Sequence, residues 1–305
     1  MPKVVYAIVA GPKSPFLDWA TVSILLTKNL HKDFPIVLCT DDQTLAFIKK
    51  TNHKILGLID EISCIQAFDG TPRERSRWVK TNIRQNVRGD FIYIDADAIP
   101  VGPLDRLYQH DADMAATNEL TMPHTIVNWY EDACTCLNWQ YSRDHYFNSG
   151  IFFLRDSERG RHFGTMWNKK WLQWREHDKS GISADQPSFN SSLIELDVQM
   201  HLLPRRYNVF MLHPNVCEKD PRIFHYPASI RPMKYSSLQS TLCRKLANTG
   251  EIDWALVKLA QNSGNPWTLP KPLVWAEYIL EIIRIKLLDF CRKRIPIAHR
   301  KKLVR

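Results

Sequence analysis

The stretch FIYIDADAIP, residues 91–100, decides how the chain is read. Phe91, Ile92, Tyr93 and Ile94 form an unbroken apolar run of strand-favouring residues, the pattern of a strand covered on both faces. The run ends in Asp95-Ala96-Asp97. Ligands of open α/β sheets bind beyond the carboxyl ends of strands, where these two carboxylates would emerge. If the chain stays extended, alternation sends Asp95 and Asp97 to one side and Ala96 to the other. Adjacent carboxylates repel one another and call for a cation, and oxygen donors suit Mn2+ or Mg2+. Standing alone, the motif has a plainer reading: a strand-end turn whose aspartates cap a helix or face water.

Upstream, the apolar runs Val4–Ala10, Ile36–Thr40 and Ile62–Phe68 alternate with helical patterns around Asp18–Leu30, Thr44–Lys50 and Glu74–Val87. That alternation predicts an α/β domain with a mainly parallel central sheet. Downstream the order loosens. Met114–Thr117 and Gly150–Leu154 read as strands, and a Trp-rich helix lies near Gly164–Glu176, where Trp167, Trp171 and Trp174 fall at core-packing spacing.

The chain has 305 residues, 44% hydrophobic and 24% charged, enough to bury a full core and too apolar for a disordered protein. Its excess of 41 Lys and Arg over 32 Asp and Glu favours a polyanionic partner without choosing between nucleic acid, anionic lipid and a phosphorylated substrate. Seven cysteines without a CxxC pair predict neither a zinc site nor a disulfide framework, and reduced thiols point to the cytoplasm. No signal-peptide pattern and no apolar run of about 18 residues is present, so the expected location is cytoplasmic.

Three further segments carry chemistry. In Phe147-Asn148-Ser149-Gly150, a glycine at a strand start permits close approach of the backbone to a ligand, or simply makes a turn. In Ala184-Asp185-Gln186-Pro187, Asp185 has the position of an ordinary helix cap. The run His225-Tyr226-Pro227-Ala228-Ser229-Ile230-Arg231-Pro232 holds one histidine and one guanidinium, the latter well suited to phosphate oxygens.

Taken with RSRWVKTNIRQNVRGDFIYIDADAIPVGPLDRL, these motifs stand in the order found in the GT-A glycosyltransferases, and the chain resembles glycosyltransferase family 8 in particular. The resemblance covers roughly the first three quarters of the chain. It implies a GT-A, Rossmann-like catalytic domain over residues 1–235; residues 236–305, which it does not cover, read as a helical C-terminal segment with an amphipathic basic tail. It implies Asp95, Asp97 and His225 as ligands of Mn2+ or Mg2+, and Asp185 and Gln186 as the catalytic pair facing the sugar. Donor contacts implied in the same way are Ala10, Lys80, Asp95, Ala96, Asn148, Ser149, Gly150 and Arg231. The activity implied is transfer of a sugar from a nucleoside diphosphate sugar, expected to be a UDP-sugar, to a glycan or lipid-linked acceptor with retention. Inversion would instead need a base, for which Glu119 and Asp144 are the candidates.

The chain departs from the family pattern at Ala228, Arg231 and Met233, where glycine, lysine and tryptophan are usual. The first strand ends Val9-Ala10-Gly11-Pro12 without the polar residues that family members often set against the base. A sugar nucleotidyltransferase would open with a Gly-rich phosphate loop, and only Gly11 stands there. A non-catalytic sugar-binding or nucleic-acid-binding protein is the other alternative; no nucleic acid is expected as partner. The run LVWAEYILEIIRIKLLDFCRKR sets Glu277, Glu281, Arg284 and Arg292 opposite an apolar arc of Trp275, Ile279, Ile282, Ile283, Leu287 and Phe290. With the basic end it reads either as a helix packed on the domain or as a peripheral anchor on an anionic membrane surface, on the cytoplasmic face.

Overall fold

A computed structural model of the chain describes residues 1–119, 131–142, 145–178, 184–211, 214–227 and 235–294. Its strands are β1 (Lys3–Ile8), β2 (Ile36–Thr40), β3 (Glu61–Cys64), β4 (Phe91–Ile94), β5 (Ala98–Pro100), β6 (Met114–Asn118), β7 (Phe147–Leu154), β8 (Met200–Leu203), β9 (Val209–Phe210) and β10 (Ile223–His225). Its helices include α1 (Phe16–Leu30), α2 (Asp42–Lys50), α3 (Pro72–Thr81), α4 (Ile83–Asn86), α5 (Glu158–His177), α6 (Gln186–Glu195), α7 (Leu238–Thr249), α8 (Trp254–Ser263) and α9 (Lys271–Arg294).

Seven strands form the central sheet in the order β3-β2-β1-β4-β7-β6-β8. The pairs β1–β2, β2–β3, β1–β4 and β6–β8 are parallel, and β7 runs antiparallel to both its neighbours. The mainly parallel sheet follows from the alternating strand and helix patterns. Every residue of β2, β4 and β7 is buried, because helices cover both faces. Val4, Tyr6 and Ile8 pack with α1 and α2 on one face, while Val5, Val37 and Cys39 pack with α3, α5 and α6 on the other. Phe152, Phe163, Trp167 and Phe189 make ring contacts in this second layer, and Trp171 is fully buried there.

One local feature differs from the sequence reading, and a second explains polar residues in a buried helix. The helix expected over Glu74–Val87 breaks at Asn82, whose side-chain amide donates to the Trp78 carbonyl at 2.9 Å and competes with continued helix. The first helix carries buried Ser23 and Thr27 because both hydroxyls lie 3.0 Å from the buried Tyr6 hydroxyl; Ser23 also donates to the Ala98 carbonyl at 2.7 Å.

A second, three-stranded sheet has the order β5-β10-β9. Its core joins Ile99 and Phe224 to Val22 and Leu26 of α1 and to Leu238, Leu242, Val257, Trp267 and Val274. One core therefore runs across residue 235, and packing is continuous where the sequence places a boundary. In α9 the expected apolar arc divides. Val274 is fully buried, Trp275 and Ile282 are half-buried, and Ile279, Ile283 and Leu287 are exposed together with Leu273 and Leu280. Phe290 and the basic residues 295–305 lie outside what is described at side-chain level. Among the described residues no helix is long and apolar enough to cross a membrane.

Candidate active site

The site forms where β4 leaves the sheet. Asp95 still pairs with the sheet, its N–H donating to the Gly150 carbonyl at 2.8 Å, and Ala98 N–H then donates to the Asp95 carbonyl at 3.0 Å. The chain thus turns over Ala96 and Asp97 instead of staying extended, so the two carboxylates converge through a turn and not by strand alternation. After the turn, β5 pairs antiparallel with β10 in a register that sets Ala98 opposite His225. This short sheet carries the histidine to the carboxylates across more than a hundred residues of sequence.

Ligand atoms from Asp95, Asp97 and His225 lie within 4.8 Å of one another. The imidazole is buried and oriented: Nδ1–H donates to Asn208 Oδ1 at 3.0 Å, which turns Nε2 toward Asp97 Oδ1 at 3.4 Å. Burial, reinforced by the charge of Asp97, raises the Asp95 carboxyl above its ordinary range against the pull of Lys80 and His225. The donor set of two carboxylates and one imidazole fits a divalent cation. Gly150 makes room for it, since a Cβ there would stand 2.5 Å from His225 Cε1 and 2.7 Å from Asp95 Oδ2.

A second cluster adjoins the first. Lys80, buried on α3, holds Nζ 3.3 Å from Asp95 and 3.2 Å from Asp185 Oδ2, so it links the two acidic groups. One helical turn earlier Arg77 places Nε 3.1 Å from Asp185 Oδ1, and Ser149 Oγ donates to Asp185 Oδ2 at 3.0 Å. Asp185 does occupy the position before α6, yet its side chain makes no capping bond. Burial works against its charge, but Lys80 and Arg77 outweigh burial and hold the carboxyl down at about 2. It is ionised throughout the neutral range.

Gln186 joins the clusters. Its Oε1 accepts from Ser149 N–H at 3.3 Å and its Nε2 donates to Glu119. Glu119 ends up buried beside β6, where burial pushes its carboxyl from 4.5 to about 7 against the bonds from Gln186 and Asn148. Asn148 Oδ1 also accepts from Gly150 N–H at 2.8 Å.

The structure therefore brings Lys80, Asp95, Ala96, Asp97, Asn148, Ser149, Gly150, Asp185, Gln186 and His225 to one place. Ala10 is positioned differently: its N–H and carbonyl both pair with the Thr44 hydroxyl, at 3.0 and 3.2 Å, which ties the end of β1 to α2. Arg231 and Asp144 lie outside the described residues. Arg77 and Asn208 are site residues that the sequence reading missed. Arg77 could have been found from its i, i+3 relation to Lys80 on one helical face; Asn208 carries no local signal.

Residues 89–235 match the family model described as Glycosyl transferase family 8. No curated protein matches the sequence. Among solved structures, the galactosyltransferase LgtC, in complex with donor and acceptor sugar analogues, is 14% identical with a TM-score of 0.55, over 82% of this chain and 96% of its own. The bifunctional glycosyltransferase WbbM is 14% identical with a TM-score of 0.54, over 86% of this chain; the match spans only 51% of WbbM. Mouse xyloside xylosyltransferase 1 is 14% identical with a TM-score of 0.51, over 75% of this chain and 98% of its own. At such identities these likenesses establish the GT-A fold. The family match covers the Asp-x-Asp turn, β7, Asp185 and His225, while Arg77 and Lys80 lie before it.

Glu119 gives a pH test. Below pH 4.5 it is protonated in the folded and unfolded chain alike; as pH rises toward 7 only the unfolded chain releases the proton, so this residue makes stability fall across that window. At about 1.4 kcal/mol per pKa unit the penalty reaches about 3 kcal/mol. Denaturant unfolding of Glu119→Gln should show a variant more stable than the native chain at pH 8 and similar to it at pH 4.5. An equal difference at both pH values would contradict the assignment.

Proposed function

We propose that this chain, whose residues 89–235 match the model of glycosyl transferase family 8, moves a sugar from a nucleoside diphosphate sugar to a glycan or lipid-linked acceptor, with a divalent metal. The observation that carries the reading is the convergence of Asp95, Asp97 and His225 beside the Lys80–Asp185 pair. Mn2+ or Mg2+ would be held by those three side chains, and when bound it supplies positive charge to the departing diphosphate.

The chain's own residues supply the rest. Lys80 stands between the metal ligands and Asp185, where its ammonium meets a diphosphate oxygen. Arg231 adds a second diphosphate contact, as the family resemblance implies. The bond from the anomeric carbon to the diphosphate oxygen breaks, the acceptor oxygen bonds to that carbon, and the acceptor proton leaves with the diphosphate. Positive charge grows on the anomeric carbon as the bond breaks, and an ionised Asp185 fixed by Arg77 and Ser149 opposes it. Gln186, locked between Ser149 and Glu119, presents its amide to the sugar. Glu119 is engaged in holding Gln186, and retention is the outcome that the family resemblance implies. A UDP-sugar is the donor proposed.

An acceptor at a membrane fits α9. Its face away from the core exposes Leu273, Leu280, Ile283 and Leu287, and the sequence from Arg292 onward is strongly basic, a combination suited to an anionic lipid surface.

Hydrolysis or transfer from UDP-sugars with added Mn2+ tests the reaction. Asp97→Ala should lower the rate by about two orders of magnitude or more. Equal rates would remove the metal from the account. For the surface, the full chain should float with vesicles containing anionic lipid and a chain ending at residue 270 should not; equal flotation would refute the contact.

A further inference from the structure

The Asp-x-Asp turn is held by three carbonyls, each with a partner. Asp95 O accepts from Ala98 N–H at 3.0 Å and Asp97 O accepts from Tyr226 N–H at 2.8 Å, both through the backbone. The middle carbonyl, Ala96 O, accepts from the side-chain Nε2 of Gln239 at 2.8 Å. Gln239 lies 143 residues away, in the first turn of α7 and beyond the family match, and is 1% exposed.

We propose that Gln239 is a positioning residue for the metal turn, fixing the peptide between Asp95 and Asp97 so that their carboxylates keep the spacing a divalent cation needs. The inference rests on the metal reading given above. Rotation of that one peptide would swing the two carboxylates relative to each other and spread ligand atoms that now lie within 4.8 Å of one another. The anchor is itself rigid. Ser237 caps α7 by accepting from Ser240 N–H at 3.1 Å, and Thr268 N–H donates to the Ser236 carbonyl at 2.8 Å. Tyr226, which holds Asp97, donates its hydroxyl to the Pro266 carbonyl at 2.9 Å. Residues 236–268 thus set the metal turn from behind, and a buried carbonyl deprived of its donor would draw the turn toward another partner.

The test compares native chain, Gln239→Met, Gln239→Asn and Leu242→Ala, measuring Mn2+ binding in the presence of UDP by the EPR signal of free Mn2+, and thermal melting without metal. Methionine keeps the volume without the donor; asparagine keeps the amide but shortens its reach. Leu242 is fully buried one turn along α7 and serves as the control for lost packing. Both Gln239 variants should bind Mn2+ about tenfold more weakly, with kcat largely recovered at saturating Mn2+, as for a group acting behind metal ligands. Leu242→Ala should melt earlier and bind Mn2+ as the native chain does. Native-like Mn2+ affinity in whichever Gln239 variant folds would overturn the inference, as would an equal loss in Leu242→Ala. Failure of the native chain to bind Mn2+ at all would overturn the metal reading beneath it, and the inference with it.

Discussion

Crowding of negative charge at the end of one buried strand is the constraint on which the rest of the structure depends. Half-buried Asp95 and Asp97 gather beside buried Asp185, and carboxylates drawn out of water are tolerated only when cations or donors answer them. The chain answers Asp185 in full, with Lys80, Arg77 and Ser149. It answers Asp95 only in part, with Lys80 and Tyr93, and burial still raises that carboxyl. His225 faces the same two carboxylates, and a divalent cation held by the three would complete the charge balance.

Much of the architecture serves that arrangement. The central sheet sets β4 and β7 side by side, so that the turn after Ile94 meets the Asn148-Ser149-Gly150 segment. Gly150 keeps the space open because any side chain there would strike both His225 and Asp95. The small second sheet brings the histidine in from the far end of the domain, and the helices behind it belong to the same core. Sequence distance and spatial distance are almost unrelated here, as expected when loops close a site onto a rigid sheet.

Legibility in the sequence followed the physics of each element. The limits of β2 and β4 could be read directly because a strand buried on both faces is an uninterrupted apolar run. β5, β9 and β10, of three, two and three residues, are too short to show any period, so the second sheet and its role were invisible. The Asp-x-Asp motif marks where the structure gathers Asp95, Asp97 and His225, but the side chains converge through a turn fixed by long-range hydrogen bonds and not by strand alternation. Lys80 carried a recognisable motif position, whereas Arg77 needed the helix face to be seen. Asn208 and Gln239 hold His225 and Ala96 from positions that no local pattern distinguishes.

The central claim is that Asp95, Asp97 and His225 together hold a divalent cation. Electron spin echo modulation on the Mn2+-loaded chain with UDP reads the ligands directly. The account predicts a nitrogen modulation from an imidazole bound to Mn2+ that disappears in His225→Ala. A native spectrum with bound Mn2+ but no such modulation, or one unchanged in His225→Ala, would contradict it.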